Sequence, residues 1–275
     1  MLSVPALPDP SFLDPLWRAL RTLRAAITVG LYLIVAPSGF LPYGLFCLLN
    51  RGTPNHRARI LQRTSARGVR IMHWWLRNFR VIDFDWRQVR LDLPPGPCVV
   101  VANHPTLLDP TALMAVLVEA CTLVKPAVYR RSFVGPLLAG AMHFEGPSLD
   151  PTSIAHVLDN AVERLRAGIH LFVFPEGTRS PEGQLGEFGR IAFEIACRAN
   201  VPVVALGLRC EPCYLSRETP LYRPPAALPR LRIEQLAVEL PSASGGDSRT
   251  LRERVEARYR RWLGDGMPSP PNPRR

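Results

Sequence analysis

Two short polar blocks, about seventy residues apart, carry the residue types that could do chemistry. The first block reads Asn-His-Pro-Thr-Leu-Leu-Asp and contains His104 and Asp109; the second reads Phe-Pro-Glu-Gly-Thr-Arg-Ser and contains Glu176 and Arg179. A histidine beside a carboxylate is typical of a general base, because the carboxylate fixes the tautomer and stabilises the imidazolium. A glycine-bearing loop that ends in arginine suits a phosphate or carboxylate anion. The two blocks therefore predict a base next to an anion-binding loop.

Each block directly follows an apolar run that is typical of a buried strand. Residues 98–102 precede the first block, and residues 170–174 precede the second. Open α/β sheets place their ligand crevices at the carboxyl ends of strands, so we expect the two blocks to meet at one edge of a sheet. Two simpler interpretations stay open. His104 could be a buried histidine at a strand end, and Asp109 followed by proline is also typical of a helix start.

The elements that must position these blocks alternate along the chain between strand-like and helix-like patterns. The predicted strands span residues 81–86, 98–102, 122–125, 143–145, 170–174, 201–208 and 231–240. The predicted helices span residues 57–79, 109–120, 151–167, 186–199 and 247–263. This alternation predicts an α/β fold with a mixed, largely parallel sheet flanked by helices.

The N-terminal third has a membrane-like pattern. Residues 11–24 predict an amphipathic helix that either lies on an anionic bilayer or packs on the domain. Residues 25–50 carry no charge, but prolines and a glycine at residues 37–42 interrupt the roughly 20 apolar residues that a spanning helix needs. Arginines flank both ends, which places both ends in the cytoplasm. We expect a membrane-associated helical hairpin, with a single kinked spanning helix as the alternative.

This organisation predicts three parts of the chain. They are a membrane-associated helical segment over residues 1–56, an α/β domain over residues 57–263 and a disordered tail over residues 264–275. The chain carries 34 basic and 23 acidic residues, a formal charge of +11, which suits an anionic partner. Because no nucleic-acid-binding motif is present, a membrane surface is the expected partner and nucleic acid is not.

The six cysteines lie mostly in apolar runs and predict buried thiols in a reducing compartment. Cys210 and Cys213 form a lone C-x-x-C with Pro212 inside it, which is a weak metal or redox pattern. We therefore expect neither a metal nor a cofactor.

The two blocks together resemble the glycerolipid acyltransferases related to 1-acylglycerol-3-phosphate acyltransferase. Their hallmark is H-x4-D, here His104 to Asp109, followed by F-P-E-G-T-R, here ending at Arg179. The resemblance covers roughly residues 75–210. The local sequence is also similar to a bacterial branch associated with polyene lipids.

The resemblance implies a membrane-bound O-acyltransferase of phospholipid biosynthesis. It would move an acyl chain from acyl-CoA or acyl carrier protein to a hydroxyl of a lysophospholipid-like acceptor, at the cytoplasmic face of the bacterial inner membrane. His104 would be the base and Asp109 its partner. Glu176 and Gly177 would shape the acceptor pocket, Arg179 would clamp an anion, and Asn103 and Thr178 would donate supporting hydrogen bonds.

The chain departs from the family pattern between the two blocks. The family usually has an arginine there that helps to hold the acceptor's phosphate, whereas residues 144–147 read Phe-Glu-Gly-Pro. Arg130 and Arg131 lie upstream in a different register. The sequence therefore does not identify the acceptor. An alternative hypothesis is a non-catalytic lipid-binding protein that retains the acyltransferase fold.

Overall fold

The computed structural model describes residues 14–38, 52–131, 135–147, 150–181 and 183–266. Within these ranges, six strands form one sheet in the order β3-β2-β4-β1-β5-β6. They are β1 (Val99–Ala102), β2 (Ala120–Val124), β3 (Phe144–Glu145), β4 (His170–Val173), β5 (Val203–Glu211) and β6 (Arg230–Glu239). All neighbouring pairs are parallel except β5 and β6, which are antiparallel. The predicted fold class, a mixed and largely parallel sheet flanked by helices, is confirmed.

Helices cover both faces of this sheet. They are α1 (Asp14–Ser38), α2 (Pro54–Asn78), α3 (Asp109–Val116), α4 (Pro126–Tyr129), α5 (Gly135–Gly140), α6 (Pro151–Arg166), α7 (Ile191–Ala199) and α8 (Ser248–Gly266). The described part of the chain also contains 3-10 turns at Trp86–Gln88 and Pro241–Ser244.

Strand β1 lies at the centre of the sheet and is completely buried. Its register places Val99 beside Leu171 of β4 and Val203 of β5. Alternate residues of β1 enter two separate hydrophobic cores, one containing residues of α2 and α3 and the other containing residues of α6, α7 and α8. Burial on both faces explains the continuous β-branched run that precedes the first polar block.

One predicted strand, residues 81–86, is wrong. The backbone N–H groups of Val81 and Ile82 both donate to the Leu76 carbonyl at the end of α2, at 2.8 and 3.3 Å. Only a single bridge joins Asp83 to Arg230, and Trp86 then starts a 3-10 turn. The alternating pattern arises because this segment packs its apolar residues under α2 without joining the sheet.

Helix α1 runs without interruption for 25 residues, from the predicted amphipathic segment into the first part of the apolar segment that follows. At 1.5 Å per residue this is about 38 Å. Residues 39–51, which hold the rest of the predicted hairpin, lie outside the described residues, as do residues 1–13 and 267–275. Among the described ranges, no helix is both long enough and apolar enough to cross a bilayer.

Helix α1 packs on α2 by a narrow face and presents its larger side chains outward. Ala25 and Thr28 are buried, whereas five larger apolar residues of α1 are about half exposed. These are Leu16, Trp17, Leu20, Leu23 and Ile27. Helix α2 adds the exposed Ile71 and Trp74, and Phe79 follows at its end. These eight residues form the outer apolar surface of the α1–α2 pair.

Candidate active site

The chain is tethered at the point where it leaves β1. The Asn103 side chain donates from Nδ2 to the Leu208 carbonyl at 2.9 Å and accepts from the Leu208 N–H at 2.7 Å. This pair of bonds continues the connection between β1 and β5 beyond the regular ladder. Asn103 was predicted to be a supporting donor, and in the structure it fixes the backbone immediately before His104.

His104 and Asp109 are in direct contact. The distance from His104 Nδ1 to Asp109 Oδ2 is 2.7 Å. The Thr106 N–H and hydroxyl also donate to the Asp109 carboxylate, at 2.6 and 2.5 Å, so the turn between the two residues folds Asp109 back onto His104. Asp109 is also the first residue of α3, so the helix-start interpretation and the histidine contact hold together.

The two members of this pair differ in exposure. The Asp109 side chain is completely buried, whereas that of His104 keeps 17% of its surface exposed. Burial raises the pKa of Asp109 above its ordinary value, and the hydrogen bonds from His104 and Thr106 oppose that rise. With Nδ1 engaged by the carboxylate, Nε2 is the ring nitrogen left to exchange a proton with a ligand.

Phe174 orients the imidazole from one side. Its ring stacks on that of His104 with a centroid separation of 4.3 Å and an interplanar angle of 23°. Phe174 is held in turn by edge contact with the buried Phe172 of β4. Sequence reasoning gave Phe174 no role beyond its place in the second block. Its position directly after a strand that neighbours β1 is the signal that could have identified it.

Glu176 joins the second block to the first. Its Oε1 accepts from the His104 N–H at 3.1 Å and from the Ser180 hydroxyl at 2.6 Å, and its Oε2 accepts from the Gly186 N–H at 2.7 Å. The Ser180 N–H donates to the His104 carbonyl at 2.8 Å. The two blocks therefore meet at one edge of the sheet as predicted. Ser180 was not assigned a role from the sequence.

The remaining residues of the second block form a tight turn and anchor the loop that follows β5. Gly177 has a φ of +63°, a conformation that favours glycine. Thr178 accepts a hydrogen bond from Arg217 Nη2 at 2.9 Å. Arg179 Nη1 donates to the Leu215 and Ser216 carbonyls at 3.1 and 2.7 Å.

The loop after β5 also contacts the first block. The Leu107 N–H donates to the Leu215 carbonyl at 2.9 Å, so this one carbonyl binds both blocks. The predicted roles of Gly177, Thr178 and Arg179 toward an acceptor stay predictions, because no ligand is present.

The segment that replaces the family's usual arginine is acidic at the corresponding place. Phe144 is buried in β3, and Glu145 forms an ion pair of 2.7 Å with Arg130. The Arg130 side chain in this pair is 72% exposed.

Cys210 and Cys213 do not form a thiolate pair. Cys210 is buried with Sγ 3.6 Å from the Pro212 carbonyl, and burial raises the pKa of its thiol to about 12.

A cavity of about 400 Å³ opens beside the first block. Asn103, Pro105 and Ser180 line it on the side of the blocks. The opposite walls come from the end of β5 and from α8, and they are mostly apolar. The wall residues include Leu208, Cys210, Pro212, Cys213, Trp262 and Leu263.

Comparison with known proteins is consistent with this geometry. Residues 85–209, which include both blocks, match the family model described as Acyltransferase. A 1-acyl-sn-glycerol-3-phosphate acyltransferase beta from Homo sapiens is 32% identical over 167 residues, covering 58% of this chain and 56% of the relative. A 1-acyl-sn-glycerol-3-phosphate acyltransferase from Pseudomonas aeruginosa is 27% identical over 191 residues, which cover 68% of this chain and 72% of the relative. The chain thus spans about half the length of the human relative.

A solved structure shares the fold. The crystal structure titled 1-acyl-sn-glycerophosphate (LPA) acyltransferase, PlsC, from Thermotoga maritima superposes with a TM-score of 0.62 at 19% identity. The superposition covers 92% of this chain and 98% of that one.

Proposed function

We propose that this protein, whose residues 85–209 match the family model described as Acyltransferase, is a membrane-associated O-acyltransferase that uses His104 as its general base. The observation that carries the proposal is the 2.7 Å contact between His104 Nδ1 and the buried carboxylate of Asp109. The family resemblance drawn from the two blocks is confirmed by the matches. The polyene-lipid branch stays a prediction.

In the proposed reaction the acyl donor is a thioester, of coenzyme A or of acyl carrier protein. His104 Nε2 takes the proton of an acceptor hydroxyl as its oxygen attacks the thioester carbonyl carbon. The resulting imidazolium keeps its Nδ1–H on Asp109, whose negative charge stabilises it. When the tetrahedral intermediate collapses, the carbon–sulfur bond breaks and the imidazolium returns the proton to the leaving thiolate. An ester and a free thiol result.

For the acceptor we propose a lysophospholipid with a free glycerol hydroxyl, and 1-acylglycerol-3-phosphate is the first to test. The names of the human and Pseudomonas relatives support this choice. Arg179 lies at the edge of the paired blocks and holds two carbonyls through Nη1, which leaves its other guanidinium nitrogens for an anion.

The cavity beside Asn103 and Pro105 is the proposed site for an apolar chain of one substrate. Its volume of about 400 Å³ and its apolar walls suit hydrocarbon. Trp262 and Leu263 of α8 form the far wall, so α8 contributes to this site although it lies outside the matched family region. Replacing Leu263 with Trp should shorten the accepted acyl chain, which a chain-length series of donors would measure.

We propose that the outer apolar surface of α1 and α2 lies on a bilayer, at the cytoplasmic face of a bacterial inner membrane. Leu20 and Leu23 are about half exposed, whereas Ala25 and Thr28 of the same helix are buried. The double variant L20E/L23E of the full chain should shift from membrane to supernatant on sedimentation. A single glutamate at the exposed Ile154 of α6 is the control and should leave sedimentation unchanged.

The alternative function, a lipid-binding protein without activity, rests on the missing arginine near Glu145. The intact contact between His104 and Asp109 favours catalysis, because a binding protein has no need of a buried carboxylate on a half-buried imidazole. Transfer of a labelled acyl group to any lysolipid would eliminate this alternative.

The test of the proposed function is a comparison of two histidine variants in the purified full chain. His104→Ala should reduce release of thiol from acyl-CoA or acyl carrier protein by about 10²-fold or more, the usual contribution of a general base. His156→Ala changes an exposed histidine of α6 and should leave the rate unchanged. Equal activity of the two variants would contradict the assignment of His104.

A further inference from the structure

Three arginines surround a small cavity at the junction of α1 with the rest of the protein. Arg21 and Arg24 of α1 and Arg80, just after α2, line a space of about 210 Å³. The proline-rich loop over residues 224–229 closes the opposite side, and Tyr214 also contributes to the lining. None of the residues of the two catalytic blocks lines this cavity.

The positive charge of this cavity is not neutralised by the described part of the protein. There, neither Arg21, Arg24 nor Arg80 forms an ion pair, and the nearby Asp83 pairs with Arg77 at 2.9 Å. The buried Nε atoms of Arg21 and Arg24 have no hydrogen-bond partner among the described residues. Arg24 Nη2 donates to the Arg80 carbonyl at 3.0 Å, which brings the two arginines together.

A buried guanidinium N–H without an acceptor lowers the stability of the folded protein. An anion that accepts hydrogen bonds from several such groups restores that stability. Phosphate oxygens match the fork of donors that arginine presents. The charge and the free donors of this cavity therefore fit a phosphate group.

An apolar groove shares a wall with the arginine cavity. Its volume is about 400 Å³, and Trp17, Arg21 and Arg24 line both spaces. The rest of the groove is formed by Thr28 and three apolar side chains of α1, by Trp75 of α2 and by Phe79, much of it from the outer apolar surface of the α1–α2 pair. A ligand that fills both spaces has a phosphate at one end and a hydrocarbon chain at the other.

We propose that this paired site binds one molecule of an anionic membrane phospholipid, with its phosphate between the arginines and an acyl chain along the groove. The site is separate from the residues that carry the proposed acyl transfer. It would hold α1 at the bilayer through a specific headgroup contact, in addition to the general affinity of an apolar surface. Because binding alone tests it, its outcome is independent of whether the protein transfers acyl groups.

The test uses the purified full chain and vesicles of phosphatidylcholine with or without phosphatidic acid, at physiological ionic strength. Exposed charges are largely screened there, because the Debye length is about 8 Å. The pocket variant R21Q/R24Q is compared with R67Q/R260Q, which removes the same charge from exposed positions of α2 and α8. The pocket variant should lose affinity for phosphatidic acid vesicles by about tenfold or more relative to the control, the scale of one hydrogen bond to a charged group.

Three outcomes would overturn the proposal. Equal losses in the two double variants would show that only net charge matters. Displacement of the protein from vesicles by inorganic phosphate at the concentration of the lipid would identify free phosphate as the ligand. A raised KM for the lysophospholipid acceptor with unchanged vesicle binding would assign the arginines to the acceptor.

The single variant R21Q guards against misfolding of the double variant. Arg24 bonds the Arg80 carbonyl and contributes to the position of α1, whereas the Arg21 side chain forms no hydrogen bond within the described residues. R21Q should keep the thermal unfolding midpoint of the wild type and still weaken binding to phosphatidic acid vesicles more than R67Q does. Binding by R21Q equal to that of R67Q would also contradict the proposal.

Discussion

Replacing Asp109 with asparagine removes one negative charge from the candidate site and nearly preserves its shape. The carboxylate accepts from His104 Nδ1, from the Thr106 N–H and from the Thr106 hydroxyl. An asparagine can place its oxygen toward the first two donors and its NH2 toward the hydroxyl, which can rotate and accept. The imidazole therefore keeps its orientation and its Nδ1–H tautomer, and the variant isolates the effect of charge.

The expected loss follows from the distance between the charges. The contact of 2.7 Å between Nδ1 and Oδ2 places the centres of the imidazolium and carboxylate charges about 4 Å apart. At an effective dielectric constant of about 20, that attraction is about 4 kcal/mol. Because about 1.4 kcal/mol corresponds to a factor of ten in rate, Asp109→Asn should lower kcat about 10³-fold.

Stability should change in the opposite direction. Burial raises the pKa of Asp109, so the ionised carboxylate destabilises the folded state at neutral pH relative to the unfolded chain. Asp109→Asn should therefore keep the thermal unfolding midpoint of the wild type or raise it. This combination of lost activity and retained stability is typical of a residue kept for function.

The assay is steady-state thiol release from an acyl thioester, with thermal unfolding followed on the same preparations. Asp159→Asn, at an exposed position of α6, controls for the loss of one carboxylate. The reasoning would be refuted by an Asp109→Asn variant that retains more than about a tenth of the wild-type kcat, because the charge at 2.7 Å would then contribute little.

Three further predictions concern Glu176, Tyr259 and His143. Glu176→Gln should lower both kcat, by about tenfold, and the thermal unfolding midpoint, because one amide oxygen cannot accept from the N–H groups of both His104 and Gly186. An unchanged unfolding midpoint would count against this role of Glu176. The buried hydroxyl of Tyr259 lies 2.9 Å from the Val101 carbonyl of β1 and 2.8 Å from the Leu206 carbonyl of β5. Because Tyr259→Phe removes this link between the two strands, kcat should fall more than KM changes. An effect on stability alone would make Tyr259 purely structural. Burial lowers the pKa of His143 to about 4, so the protein should lose stability as the pH falls from about 6.5 to about 4. His143→Gln should lessen that loss. If the thermal unfolding midpoint of the variant depended on pH as that of the wild type does, His143 would be excluded as the source.

The sequence predicted the parts of the fold that depend on local patterns. The strands before the two blocks and the antiparallel β6 were all located within a few residues. Burial on both faces of β1 and β4 leaves a continuous apolar run, which is readable without any knowledge of the neighbouring strands. The contact between His104 and Asp109 was predicted as well, because a spacing of five residues allows a turn to fold one onto the other.

The errors and omissions arise where contacts are made between distant segments. Residues 81–86 have the alternation of a strand, but the end of α2 supplies acceptors for Val81 and Ile82 instead of a neighbouring strand. The contacts of Phe174 with His104 and of Arg179 with Leu215 depend on how strands and loops lie in space. No local pattern encodes such contacts. The arginine cavity could not be predicted for the same reason, because α1 and the loop over residues 224–229 are far apart in the sequence.

The central claim is that His104 removes the proton from an acceptor hydroxyl that attacks the thioester directly. A single-turnover experiment with excess enzyme, a labelled acyl thioester and 1-acylglycerol-3-phosphate tests it most directly. The wild type should move the label to the lipid with one thiol released for each acyl group and no label on the protein, and His104→Ala should slow both events together by about 10²-fold or more. Label on the protein before it reaches the lipid, or transfer at the wild-type rate by His104→Ala, would contradict the claim.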